Sequence, residues 1–141
     1  MEVMPGIYQL KVPIPDNPLG FLNAYLIKTS DGSLLIDTGW NTEEAFQALT
    51  SQLADAGVGF NELRYIVITH AHPDHFGLLG RLKEVSQAKV VLHKMEFAIL
   101  QTRYIDYQDL VENMGKWLTI NGVPETSTPP LQKASLEKLG Y

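Results

Sequence analysis

Alternating strand-like and helix-like segments place this sequence in the α/β (α+β) class, with a mixed β-sheet followed by a helical extension. Three observations carry that expectation. Extended, β-branched runs fill the first third and are punctuated by Pro, Asn, Asp and Gly. Helical periodicity sets in after Asn41 and then alternates with further apolar runs. The short run Arg64–Thr69 (RYIVIT) is almost wholly apolar, as expected of a strand covered on both faces.

The elements follow in order. Ile7–Val12 (IYQLKV) reads as a strand that stops at Pro13–Gly20, where three prolines with Asp16, Asn17 and Gly20 mark a loop. Phe21–Lys28 and Leu34–Ile36 are further strands, and Asp31-Gly32 between them supplies the positive-φ residues of a tight hairpin. Within Thr42–Ala56, Ala45, Leu49, Leu53 and Ala56 recur at helical spacing. Asn41 as N-cap with Glu44 three residues on resembles a capping box, and Gly57 suits the left-handed residue after the helix. After Arg64–Thr69, Phe76, Leu79, Leu82 and Val85 return at helical period, and Ala88–Leu92 is another strand. Helical patterns near Lys94–Arg103 and Tyr107–Ile120 come next. In the second, Leu110, Met114, Trp117 and Leu118 form an apolar stripe that reads as helix core. Gly122–Pro130 is turn-rich, and Ser135–Tyr141 carries a short final helical pattern.

Composition narrows the function. At 141 residues with 45% hydrophobic content the chain can bury a core. Eleven basic against sixteen acidic residues give a net charge of −5, which argues against nucleic acid or an acidic membrane as partner. Without cysteine there is no disulfide framework and no thiolate metal site. No apolar run approaches the roughly 18–20 residues that cross a bilayer, and Glu2 sits where a signal peptide carries basic residues. The expectation is a soluble, cytoplasmic protein that acts on a small molecule.

The chemistry is concentrated in Thr69–Phe76, which reads THAHPDHF. Three of the four histidines and an aspartate fall where a buried strand runs out, the place where open α/β sheets hold ligands. In an extended segment residues two apart face the same way, so His70 and His72 can grip one ion, and Pro73 helps keep His72 extended. Asp74 and His75, where the chain turns into a helix, point elsewhere and can serve a second ion. Imidazole and carboxylate donors suit zinc, iron or manganese. The competing reading of Asp74 is a helix N-cap, and that of Asp37, ahead of Thr38-Gly39, is a simple turn after a strand.

His70-Ala71-His72-Pro73-Asp74-His75 resembles the HxHxDH signature of the metallo-β-lactamase-fold metallohydrolases. Asn23-Ala24-Tyr25-Leu26-Ile27, Leu35-Ile36-Asp37-Thr38-Gly39 and Ile66-Val67-Ile68-Thr69 agree in order and position, so the likeness runs from about Gly6 to His93. It implies the N-terminal half of an αβ/βα sandwich over residues 1–93, with a helical extension over 94–141 that leads into a C-terminal half. It implies a hydrolase, with two zinc ions when complete. His70 and His72 would then bind the first ion, and Asp74 and His75 the second. Asp74 also serves catalysis by orienting or deprotonating the attacking water, and Asp37 supports the ligands from beside the cluster. Gly77 and Gly80 would let the following helix approach the sheet. Iron chemistry on the same scaffold (a sulfur dioxygenase or a di-iron oxygen- or NO-reducing protein) and a non-catalytic binding module are the alternatives.

The resemblance also implies ligands that this sequence does not supply. The family adds a third histidine for the first ion, a bridging aspartate and a final histidine, all downstream. Here only His93 follows His75, and it reads as structural. A fragment of a longer hydrolase, a degenerate half-domain and a site completed by another chain are the readings that follow, along with unfamiliar ligands such as Glu96, Asp106 or Asp109. In the first three, an apolar sheet face lacks its cover in this chain and is exposed or paired with a partner, such as a second copy. Metal binding by the chain alone is expected to be weak or absent.

Overall fold

The computed structural model describes residues 1–124, so the expected turn-rich stretch from Gly122 lies mostly outside the described residues and the expected final helix wholly outside them. The chain divides into two compact units, Met1–His93 and Lys94–Tyr141. The first is built on a six-stranded mixed sheet whose strands stand in sequence order. β1 (Glu2–Met4), β2 (Ile7–Pro13), β3 (Phe21–Thr29) and β4 (Gly32–Ile36) form an antiparallel meander. β5 (Leu63–Ile68) and β6 (Lys89–Leu92) then add in parallel. Parallel addition needs crossovers. α1 (Glu43–Asp55) supplies the first, and α2 (Pro73–Phe76) with α3 (Leu79–Val85) supplies the second.

Period-two burial sorts the sheet into two faces. On one, Leu10, Val12, Ala24, Leu26, Leu35, Ile66 and Ile68 are almost fully buried, together with Ala45, Leu49 and Leu53 of α1 and Leu78 and Leu82 of the α2–α3 segment. Each buried leucine or isoleucine contributes about 1.5–3 kcal/mol relative to exposure. Gln52 ties α1 to β2 by accepting from the Lys11 amide and donating to the Lys11 carbonyl, at 2.8 Å each. The other face carries Tyr25, Ile27, Leu34, Ile36, Tyr65 and Val67, all only half-buried. On the edge strand β6, Val90 and Val91 remain 39% and 44% exposed. The apolar run of β5 thus has one fully buried face and one half-open face.

Several local expectations need correcting. The N-cap of α1 is Thr42, whose hydroxyl accepts from the Ala45 amide at 3.2 Å, and not Asn41, one residue earlier. Helix α2 begins at Pro73, with His72 as its N-cap residue, so Asp74 lies inside the first turn and does not cap it. The reason is that proline is preorganised for the first helical position. Gly57 takes the expected left-handed geometry at φ +69°.

The second unit contains α4 (Lys94–Leu100), which widens into a π-type turn (Gln101–Ile105), and α5 (Tyr107–Ile120). Trp117 and Met114 of α5 are 62% and 44% exposed, so they are not the helix core that their spacing suggested. Periodicity marks an apolar stripe but not what covers it. No helix among the described residues is long and apolar enough to cross a membrane.

The two glycines read as permitting close approach behave differently. A Cβ at Gly77 would meet the Pro73 carbonyl at 2.5 Å, the Asn41 amide at 2.7 Å and the Gly39 carbonyl at 2.8 Å. These are backbone atoms that cannot swing aside. A Cβ at Gly80 meets nothing within 4 Å. Gly77→Ala should therefore cost about 1–3 kcal/mol in urea unfolding, whereas Gly80→Ala should be neutral or stabilise by about 0.5–1 kcal/mol. Equal effects of the two substitutions would contradict this packing.

Candidate metal centre

Strand register builds the site. Ile36 pairs with Val67 in the parallel β4–β5 ladder, and the Asp37 amide continues the ladder by donating to the Val67 carbonyl at 2.8 Å. Asp37 and Thr69 thereby meet at the C-terminal ends of adjacent strands. Asp37 is 4% exposed and sits at φ +59°, a left-handed conformation unusual for any residue but glycine and tolerated best by Asn and Asp. Its bonds hold it there. Oδ1 accepts from the Thr69 amide at 2.8 Å, and Oδ2 accepts from the Thr69 hydroxyl and from His75 Nδ1, each at 2.8 Å.

The motif itself folds back in a tight bend. The His72 amide donates to the His70 carbonyl at 3.0 Å and the His75 amide to the His72 carbonyl at 2.9 Å. Thr38, fully buried, donates its amide (2.7 Å) and its hydroxyl (2.9 Å) to the His75 carbonyl. His75 is consequently clamped at both ends, by Thr38 on its backbone and by Asp37 on its ring.

Four sequence-predicted donors come together here. His70 Nε2 and His72 Nδ1 face each other at 3.0 Å, and the His70 ring stands 3.9 Å from that of His75, centroid to centroid. His75 Nε2 lies 3.6 Å from Asp74 Oδ2. The expectation that His75 points away from His70 is therefore corrected: the turn into α2 carries its ring back beside it. Asp37 does more than turn the chain, because its carboxylate holds the His75 ring from the side opposite Nε2. His93 is exposed, one residue past Leu92, which pairs with Ile68, so it lies at the same end of the sheet one strand over. Composition and spacing missed Thr69 and Thr38. The signal was present as Thr69-His70 and Asp37-Thr38 at two strand ends, but only strand register unites them.

The donor set suits a divalent cation, and the separations test how far. Two ligands on a tetrahedral zinc at about 2.0–2.1 Å stand about 3.3–3.4 Å apart. The His70–His72 nitrogens at 3.0 Å and the Asp74–His75 pair at 3.6 Å bracket that value, so each pair fits a shared ion with a shift of a few tenths of an ångström. Among the described residues, however, no three His, Asp or Glu groups converge as an assembled cation site. The described residues supply pairs.

Electrostatics follow from the same contacts. Burial would lift the Asp37 carboxyl, but hydrogen bonds from His75 and from the Thr69 amide and hydroxyl outweigh it and hold the group below its ordinary 3.8. Burial would lower His75, yet the hydrogen bond and charge of Asp37, with the charge of Asp74, raise it above 6.5. Burial, then the neighbouring His75 and His72, depresses His70 below 6.5 against the pull of Asp37 and Asp74.

These directions fix a sign. The lowered Asp37 contributes stability that is present above its unfolded value and lost as pH falls through its folded value. The raised His75 contributes stability that is present below its unfolded value and lost as pH rises through its folded value. In metal-free protein the destabilisation by Asp37→Asn should therefore peak in mild acid and shrink on either side. Asp37→Ala should cost more, about 2–4 kcal/mol, because it also strands the Thr69 amide and places Ala in the left-handed region. Denaturant unfolding across pH checks both, and a pH-independent Asn effect would contradict the ion pair.

Comparison with known proteins gives a consistent picture. A family profile described as the metallo-beta-lactamase superfamily matches residues 17–131. The "Probable metallo-hydrolase YqjP" of Bacillus subtilis (strain 168) is 42% identical over 73 residues, which are 52% of this chain and 22% of that protein. A "Beta-lactamase-like protein 2 homolog" of Caenorhabditis elegans is 36% identical over 77 residues, 52% of this chain and 25% of its own. The crystal structure of a metallo-beta-lactamase family protein from Thermus thermophilus superposes with a TM-score of 0.74 at 34% identity, covering 98% of this chain and 42% of that one. The matched region is thus less than half of each of these relatives.

Proposed function

The chain belongs to the metallo-beta-lactamase superfamily, and on that premise we propose that it forms part of a cytoplasmic, zinc-dependent hydrolase of small-molecule esters, thioesters, amides or phosphodiesters. The observation that carries this reading is the pair of opposed nitrogens, His70 Nε2 and His72 Nδ1, beside a second pair, His75 Nε2 and Asp74 Oδ2, in one bend at the end of β5. His70 with His72 would hold one ion, and Asp74 with His75 a second. When bound, such a cation supplies Lewis acidity and lowers the pKa of a coordinated water from 15.7 to about 7.

The chain's own groups do the rest. Asp74 would orient the nucleophile and take its proton, and its partial exposure, a quarter of the side chain, supports that role. Asp37 anchors His75 through Nδ1, which leaves Nε2 turned toward Asp74. Further donors would complete the coordination, and we assign them to polypeptide outside residues 1–141. The Thermus relative, with more than half its length outside the match, supports that assignment. The half-buried sheet face bearing Ile27, Leu34, Ile36 and Val67 is where such polypeptide would pack.

Zinc titration of the chain against a competing chelator tests the reading. Binding should be weak, and His70→Ala or His72→Ala should each weaken it further by at least about tenfold. Zinc binding that survives both substitutions unchanged would remove these residues from the site and the hydrolase reading with them.

A further inference from the structure

The three imidazoles of the bend are not held alike, and the difference turns on one hydroxyl. Thr69 Oγ1 lies 2.8 Å from Asp37 Oδ2, 3.0 Å from His70 Nδ1 and 3.4 Å from His75 Nδ1. A hydroxyl has one proton to give, and an ionised carboxylate can only accept. At 2.8 Å from Asp37 Oδ2, the Thr69 proton must lie on that contact, since otherwise two oxygen lone pairs would oppose each other. The oxygen of Thr69 is left as an acceptor, so His70 Nδ1 must carry the proton in their 3.0 Å bond. The same rule puts a proton on His75 Nδ1, 2.8 Å from the same Oδ2.

We infer that Thr69 is a positioning residue: its hydroxyl relays the hold of Asp37 to His70 and fixes the Nδ1–H tautomer that leaves His70 Nε2 bare to bind a cation. One buried carboxylate thereby sets two imidazoles, His75 directly and His70 through Thr69. The bare His70 Nε2 in turn accepts from His72 Nδ1 at 3.0 Å, so without metal His72 also carries its proton on Nδ1. His72 has to move that proton to Nε2 before its Nδ1 can bind, whereas His70 and His75 are ready as they stand. The inference deepens the hydrolase reading and borrows from it only the choice of zinc.

The test reads tautomers directly, by long-range proton–nitrogen correlation of 15N-labelled histidine in the metal-free chain at a pH where the imidazoles are neutral. His70, His72 and His75 should all appear as Nδ1–H forms, opposite to the Nε2–H form that an isolated side chain favours. Adding zinc should convert His72 alone to Nε2–H. Thr69→Val should return His70 toward Nε2–H and weaken zinc binding about 10–100-fold, and Thr69→Ser should restore both. A wild-type His70 protonated on Nε2, or a Thr69→Val chain that keeps the Nδ1–H form, overturns the inference. Should the valine variant fail to fold, the wild-type and serine spectra still decide. A chain that binds no zinc would count against the hydrolase reading and leave the relay to stand or fall on the metal-free spectra.

Discussion

Everything at the working end of this sheet hangs on the buried carboxylate of Asp37. It sits in a left-handed backbone conformation at the end of β4 and accepts three hydrogen bonds, two from Thr69 and one from His75. Those bonds stitch the end of β4 to the end of β5, and the end of β4 to the first turn of α2. A charge with little exposure is costly unless it is fully partnered. Here the partnering groups are the ones that shape the bend, so the requirement to satisfy the carboxylate also orients the imidazoles.

The backbone makes this arrangement possible. Parallel β4 and β5 release their chains at the same edge, which is where crossover topology leaves room for a site. Pro73 then starts a single turn of helix immediately after His72, and Gly77 lets that turn press against the backbone of Gly39 and Asn41. Thr38 closes the contact by donating twice to the His75 carbonyl. The histidines are consequently held by main-chain bonds as well as ring contacts.

The same fold leaves its donors in pairs and one sheet face half-open. Both features have one physical origin: the first unit builds a sheet whose helices α1 to α3 line the face of Leu10, Leu26, Leu35 and Ile66. On the proposed reading, groups outside residues 1–141 would cover the opposite face and complete the coordination. The family to which the chain belongs supplies the setting, since its relatives extend well beyond the matched region.

Apart from β1 and the division of one helical pattern into α2 and α3, the mixed sheet, the order of its elements and the cluster of imidazoles with Asp74 were legible in the sequence, because hydrophobic period, turn residues and ligand spacing are local signals. That Asp37 belongs to the same cluster was legible only as a likeness to other proteins. The exposure of Met114 and Trp117 and the ring of His75 beside His70 were decided by tertiary structure. So was the part played by Thr69, thirty-two residues from Asp37 along the chain. A hydrogen bond across that distance depends on which strands pair and in which register, and no local pattern encodes that. Spacing along the chain names the groups able to bind a cation, whereas the pairing of β4 with β5 determines which way their nitrogens face.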